Sequence, residues 1–252
     1  MEKYNLSYYV QERMPPNNVK ALTFDMYCTT HNTHSVKPTL KEKVDLPDQV
    51  LDGFLRTWRD MKIDFSRKLT LCDETAGEER ENYVTWWTLM ERAFDYAAEF
   101  YGVDISEPDR EEVVNAYDHL EPYEPSWESF ERMQEAGYDL YILSNGNYDM
   151  LRRLAENTGQ MEHLDGLISG EDVRVFKPHP DIYLNALNHL DYDIDEIMMT
   201  ASHAWDCSGG ANVGMQTAFV NRRGMPKETF TDPNPEFDIE VESFEELADE
   251  LC

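Results

Sequence analysis

Five short apolar runs constrain this chain more than any other feature: residues 19–24 (VKALTF), 138–144 (YDLYILS), 166–169 (GLIS), 196–201 (EIMMTA) and 216–220 (QTAFV). Each is short for a helix. Segments with apolar residues at helical spacing follow at 126–136, 148–158, 180–190, 206–213 and 242–250. Strands alternating with helices predict an α/β protein whose parallel sheet is covered by helices. The long stretch between the first two runs holds no good strand. It contains DQVLDGFLRTWRDMKIDF and ENYVTWWTLMERAFDYAAEFYG, both of helical period. The expected organisation is a core of residues 1–30 and 120–252 with a helical cap, 31–119, inserted into it. The final acidic stretch is expected to close on the core or to be partly solvated.

Composition narrows the function. Of 252 residues, 41% are hydrophobic, with 14 Tyr, 11 Phe and 5 Trp, enough for a packed interior. No apolar run approaches the roughly 20 residues that span a bilayer. The first residues lack the cationic and apolar regions of a signal peptide, so a cytoplasmic protein with no membrane partner is expected. Against 22 Lys+Arg stand 51 Asp+Glu, a formal net charge of −29. Such a surface repels nucleic acid. It also suits a salt-rich cytoplasm, where a Debye length of about 3 Å at molar salt screens self-repulsion. An extreme halophile is the expected source.

Cys28, Cys72, Cys207 and Cys252 make no CxxC pair and no zinc-like spacing, and read as free structural thiols. His31 and His34 form an HxxH in a polar loop, a weak signal for metal.

Reactive groups in open α/β sheets gather beyond the carboxyl ends of the strands. Here Asp25 ends the first run, Ser144 and Asn145 end the second, Lys177 follows the third, and ASHAWD with Asp206 follows the fourth. Each residue alone reads as a cap, a turn or a solvated charge. Together they predict one shared active site.

This constellation resembles the haloacid dehalogenase superfamily and, within it, the (S)-2-haloacid dehalogenases (type II), over residues 18–224. FDMYCTT resembles the aspartate loop, WRDMKIDF the cap segment, LSNGN the serine-asparagine-glycine turn, FKPHPDIY the lysine loop and ASHAWD the last motif. Tyr183 stands six residues beyond Lys177, where that group also has a tyrosine. The resemblance implies a Rossmann-like parallel sheet core with an inserted helical cap domain. It also implies hydrolytic dehalogenation of short (S)-2-haloalkanoic acids to (R)-2-hydroxy acids through an aspartyl ester. Substrates would be a small 2-halocarboxylic acid and water, with halide released.

Phosphatases of that superfamily place a second aspartate two residues after the first, to protonate a leaving alkoxide. Tyr27 stands there, and a halide needs no proton. Ser202, four residues before Asp206, replaces a carboxylate that would help hold Mg²⁺. No metal and no cofactor are therefore expected.

The resemblance assigns roles. Asp25 is the nucleophile, Lys177 holds it ionised, and Asp206 is the general base for ester hydrolysis. Ser144 and the backbone around Met26 and Tyr27 grip the substrate carboxylate. Arg59 and Asn145 receive the halide. Trp205 and Tyr27 wall the pocket, joined less securely by Trp86. Thr29, Tyr183 and Ser202 support.

Four departures stand out. Cys28 replaces a glycine. Ala201 replaces a serine that helps hold the lysine, so that Lys177 is expected to lean on Thr29 or Ser202. His203 replaces an asparagine and could orient the water or act as base. Asp60 puts an acid beside Arg59. Two other readings stay open: a metal-dependent phosphatase of the same fold, and a catalytically silent binder of small carboxylates. A homodimer is likewise left open.

Overall fold

The protein is described from a computed structural model covering residues 18–76, 80–125, 127–227 and 236–252. The predicted core residues 1–17, and residue 126 at the start of a predicted helix, lie outside the described residues. The first strand, β1 (Ala21–Phe24), is followed by the two-residue β2 (His31–Asn32) and four helices: α1 (Lys37–Lys43), α2 (Asp48–Ala76), α3 (Trp86–Tyr101) and α4 (Glu107–Asn115). The chain returns through β3 (Glu121–Pro122), which pairs antiparallel with β2 and closes the base of the helical insertion. It then alternates α5 (Glu128–Glu135), β4 (Asp139–Ser144), α6 (Tyr148–Asn157), β5 (Gly166–Ser169), α7 (Pro180–Leu184), β6 (Ile197–Ala201), α8 (Ala204–Val213), β7 (Gln216–Val220), β8 (Ile239–Val241) and α9 (Phe244–Leu251).

Six strands form one parallel sheet in the order β5-β4-β1-β6-β7-β8. Its central strand, β1, is fully buried, which explains why ALTF carries no exposed polar residue. Alternate residues serve opposite faces. Leu22, Phe24, Leu140, Ile142 and Met198 pack under α5, α6 and α9, whereas Ala21, Leu143, Ile197 and Met199 pack under α7 and α8.

The expected strands are each found, shortened by up to two residues at their starts. Two expectations need correction. The sheet has a sixth strand, β8, in the acidic terminal stretch; its pattern of buried Ile239, exposed Glu240 and buried Val241 fits an edge strand. The helix expected at 180–190 ends at Leu184 and tightens into a 3-10 turn, Asn185–Asn188.

The insertion has its own apolar seam. Trp58 of α2 is buried against Phe94 of α3, and its indole N–H donates to the Met90 carbonyl at 2.8 Å. Truncating such a side chain to alanine costs about 3–5 kcal/mol. That anchor fixes the rotation of α2 and so aims the next residue, Arg59. Among the described residues no helix is long and apolar enough to cross a membrane.

Candidate active site

The carboxyl ends of β1, β4 and β6 and the loop after β5 converge below α2. Asp25 leaves β1 with its N–H donating to the Thr200 carbonyl of β6. The chain then turns sharply, and the Met26 carbonyl accepts from the N–H groups of Thr30 and His31. Met26 itself is core, so only its backbone can serve a ligand. Cys28 has φ +70°, the left-handed region that a glycine enters freely, so the turn keeps its form despite the side chain.

Lys177 sits at the centre without solvent exposure. Its ammonium lies 3.3 Å from Oδ1 of Asp25 and 2.8 Å from Oδ2 of Asp206. Burial alone pulls its pKa down, but Asp206 and Asp25 together carry it above the ordinary lysine value. Burial raises Asp206 to about 6, opposed by Lys177 and helped by the charge of Asp25. Tyr183 donates to the other Asp206 oxygen at 2.8 Å. Gly209 makes room for that phenol, since a Cβ there would stand 2.2 Å from its oxygen.

Thr29 donates to Oδ2 of Asp25 at 3.0 Å and accepts the Ser202 N–H at 3.0 Å. The Ser202 hydroxyl accepts from Arg222. These bonds correct the expectation that Thr29 or Ser202 positions Lys177: two carboxylates hold the lysine, and Thr29 orients Asp25. Ser144 is buried and accepts the Gly146 N–H, while Asn145 accepts the Lys177 N–H at 2.7 Å.

From above, Arg59 reaches the core. One guanidinium nitrogen donates to Nε2 of His203 at 2.7 Å and another to Asp60 at 2.9 Å. Burial and the nearby Arg59 charge lower His203 to about 4, so it is neutral near pH 7. With Nε2 accepting from Arg59, the ring proton is on Nδ1. That bond occupies the Nε2 lone pair of His203. Asp60 points outward, half exposed, and takes only the outer side of the guanidinium.

Asp25, Tyr27, Arg59, Ser144, Asn145, His203 and Trp205 line one cavity of about 40 Å³, and Trp86 joins them. Lys177, Asp206, Tyr183 and Thr29 do not line it, and Ser202 lines the wider cavity beside it. Arg59 and His203 also border a wider cavity of about 530 Å³ flanked by Arg56, Arg222 and Arg223. Sequence reasoning missed Lys62, which lines the small cavity three residues after Arg59. Residues three apart share a helix face, and that spacing was the available signal.

His31 carries no metal role here: one ring nitrogen bonds Thr30 and the other Thr158. Among the described residues no disulfide joins any of the cysteines. Nor does the central donor set suit Mg²⁺. Asp25 and Asp206 already share an ammonium, and a dication placed between them would face that charge. Among the described residues no group of three His, Cys, Asp or Glu side chains could hold a metal ion.

Comparison with known proteins gives the chain's family and relatives. Residues 19–214 match the family described as haloacid dehalogenase-like hydrolase. The chain is 29% identical over 212 residues to (S)-2-haloacid dehalogenase 4A of Burkholderia cepacia, covering 84% of this chain and 87% of that protein. It is 29% identical over 206 residues to an (S)-2-haloacid dehalogenase of Pseudomonas putida, covering 82% and 86%. The solved structure of L-2-haloacid dehalogenase from Xanthobacter autotrophicus with chloropropionic acid covalently bound superposes with a TM-score of 0.80. That pair is 25% identical, over 92% of this chain and 97% of the other.

Proposed function

The chain belongs to the haloacid dehalogenase-like hydrolases, and from that premise we propose that it is a hydrolytic dehalogenase of short (S)-2-haloalkanoic acids. The observation that carries this reading is Asp25 beside Lys177, facing a small pocket with Arg59 opposite and Tyr27 where a second acid would stand.

In the first step an Asp25 oxygen attacks C2 from behind, the O–C bond forms, and the carbon–halogen bond breaks with inversion. The electron pair leaves with the halide towards Arg59 and Asn145, where positive charge and a donor meet developing negative charge. Ser144 and the Met26–Tyr27 backbone hold the substrate carboxylate, and Tyr27 and Trp205 exclude water. Covalent capture divides one difficult displacement into two easier steps.

In the second step water attacks the carboxyl carbon of the Asp25 ester. Asp206 takes a proton from that water, and the acyl–oxygen bond breaks. The departing alkoxide takes the second proton of that water and becomes the (R)-2-hydroxy acid, Asp25 keeps the oxygen from water, and Asp206 returns its proton to solvent. General base catalysis of this kind is worth about 10²–10⁴-fold. His203 orients the water. No metal is required, and the helices of the insertion act as a cap.

The test is bromide release from each enantiomer of 2-bromopropionate, with and without EDTA. Release from the (S) form alone, indifferent to EDTA, is expected. Turnover of phosphate esters with Mg²⁺ and no bromide release would overturn the reading. The charge of −29 further supports a protein adapted to a salt-rich cytoplasm.

A further inference from the structure

Lys62 is a buried cation that the chemistry above does not use. It is 2% exposed, and its ammonium stands over three rings, 4.6 Å from the centroid of Tyr117, 5.1 Å from Trp86 and 5.5 Å from Tyr27. Among the described residues it makes no ion pair with a carboxylate.

The titratable groups facing it are few. Asp25, Tyr27 and Cys28 come from the loop after β1, Arg59 from its own helix, Tyr117 from the turn after α4, and His203 from the loop after β6. Of these only Asp25 carries a carboxylate, and it is engaged by Lys177 and Thr29. Burying an ammonium without a counter-charge is costly, and ring contacts offset part of that cost without supplying the charge. The side chain thus opens onto the ligand cavity in a place that leaves its charge unmatched by protein.

The pairing of the other charges says what would match it. Lys177 is held by Asp25 and Asp206, and Arg59 by Asp60. A monovalent anion entering the cavity beside Lys62 would supply the counter-charge that no carboxylate among the described residues gives it. We propose that Lys62 is the receptor for a small ligand anion, taking up a proton as that anion enters the pocket. The ligand chemistry is a carboxylate or a halide, an assignment that rests on the dehalogenase reading. Burial lowers Lys62 to about 7, with Arg59 acting in the same direction and Cys28 and Asp25 against it, so its proton is available for exchange near neutrality.

The test is calorimetric titration of the whole protein near pH 8 with propanoate and, separately, with bromide. Sulfate is the only background anion, and buffers of different ionisation enthalpy reveal proton exchange. Wild type should take up close to one proton per anion bound. Lys62→Met should lose that uptake and bind about tenfold or more weakly. Lys62→Arg, charged at every pH, should bind without uptake. Uptake with propanoate alone assigns Lys62 to the carboxylate, and with bromide alone to the halide. Binding by wild type without proton uptake, binding of neither anion, or full uptake in Lys62→Met would each overturn the proposal. These titrations need no turnover. A protein that showed the uptake yet released no bromide from 2-bromopropionate would fail as a dehalogenase while keeping this receptor.

Discussion

The Lys177 ammonium stands 2.8 Å from Asp206, and neither side chain is exposed to solvent. This pair, with Asp25 as the second acceptor at 3.3 Å, is where the charge of the site is settled. Replacing Lys177 with methionine would leave two carboxylates buried side by side. Breaking a buried pair in this way costs about 3–5 kcal/mol, so urea unfolding near pH 8 should show a loss of that order. The loss should shrink as pH falls towards about 6, because Asp206 without Lys177 takes its proton above the value it has in wild type. Equal stability of variant and wild type near pH 8 would count against the pairing.

Asp206→Asn keeps the shape of the site but removes the carboxylate proposed as general base. Halide loss should proceed for one turnover, and ester hydrolysis should slow by about 10²–10⁴-fold. The adduct then accumulates on the peptide containing Asp25 and is read by mass spectrometry. An unmodified peptide after incubation with substrate would reassign the base.

Much of this site was legible because strand ends declare themselves: Asp25, Ser144, Asn145 and Asp206 each follow an apolar run. Lys177 could be read from its loop after the third run. Other parts were hidden for physical reasons. Strand β8 is three residues long with an acid in its middle, so neither length nor hydrophobicity marks it. Lys62 sits in a charged stretch, WRDMKIDF, that reads as a solvated helix face. Its spacing of three residues from Arg59 puts it on the same helix face, but the packing of α2, α3 and the Tyr117 turn is what turns its ammonium inward. The partner of Thr29 was likewise misjudged, because a hydroxyl near two charges has several acceptors and only the fold selects Asp25.

Cys28 was visible as a departure, and its backbone gives that departure a measurable consequence. At φ +70° a side chain is strained, and a β-branched one more so. Cys28→Gly should leave stability within about 1 kcal/mol of wild type, relief of strain offsetting greater unfolded-chain freedom and the lost contact with Thr33. Cys28→Val should cost more, about 1–3 kcal/mol. Thermal unfolding of the two variants decides it, and a valine variant as stable as the glycine one would contradict the strained turn.

The surplus of 51 acidic over 22 basic residues predicts a salt-dependent fold. Between about 0.1 M and 1 M salt the Debye length falls from about 10 to 3 Å, removing most repulsion between exposed carboxylates. The melting temperature should rise across that range of KCl. A flat profile would mean that the acidic surface serves another purpose.

Lys62 makes stability depend on pH in the direction opposite to a paired lysine. Burial takes its pKa from 10.5 down to about 7, so between those values the unfolded chain holds a proton that the folded chain has released. Where the unfolded state binds more protons, stability rises with pH. Below about 7 both states are protonated, and the folded protein bears the full cost of the buried charge. Lys62→Met removes that cost. Its gain in urea midpoint should therefore be largest near pH 6 and should fade as pH climbs towards the ordinary lysine range. A gain that stayed constant with pH would place the ammonium in contact with water, outside the ring of Tyr27, Trp86 and Tyr117.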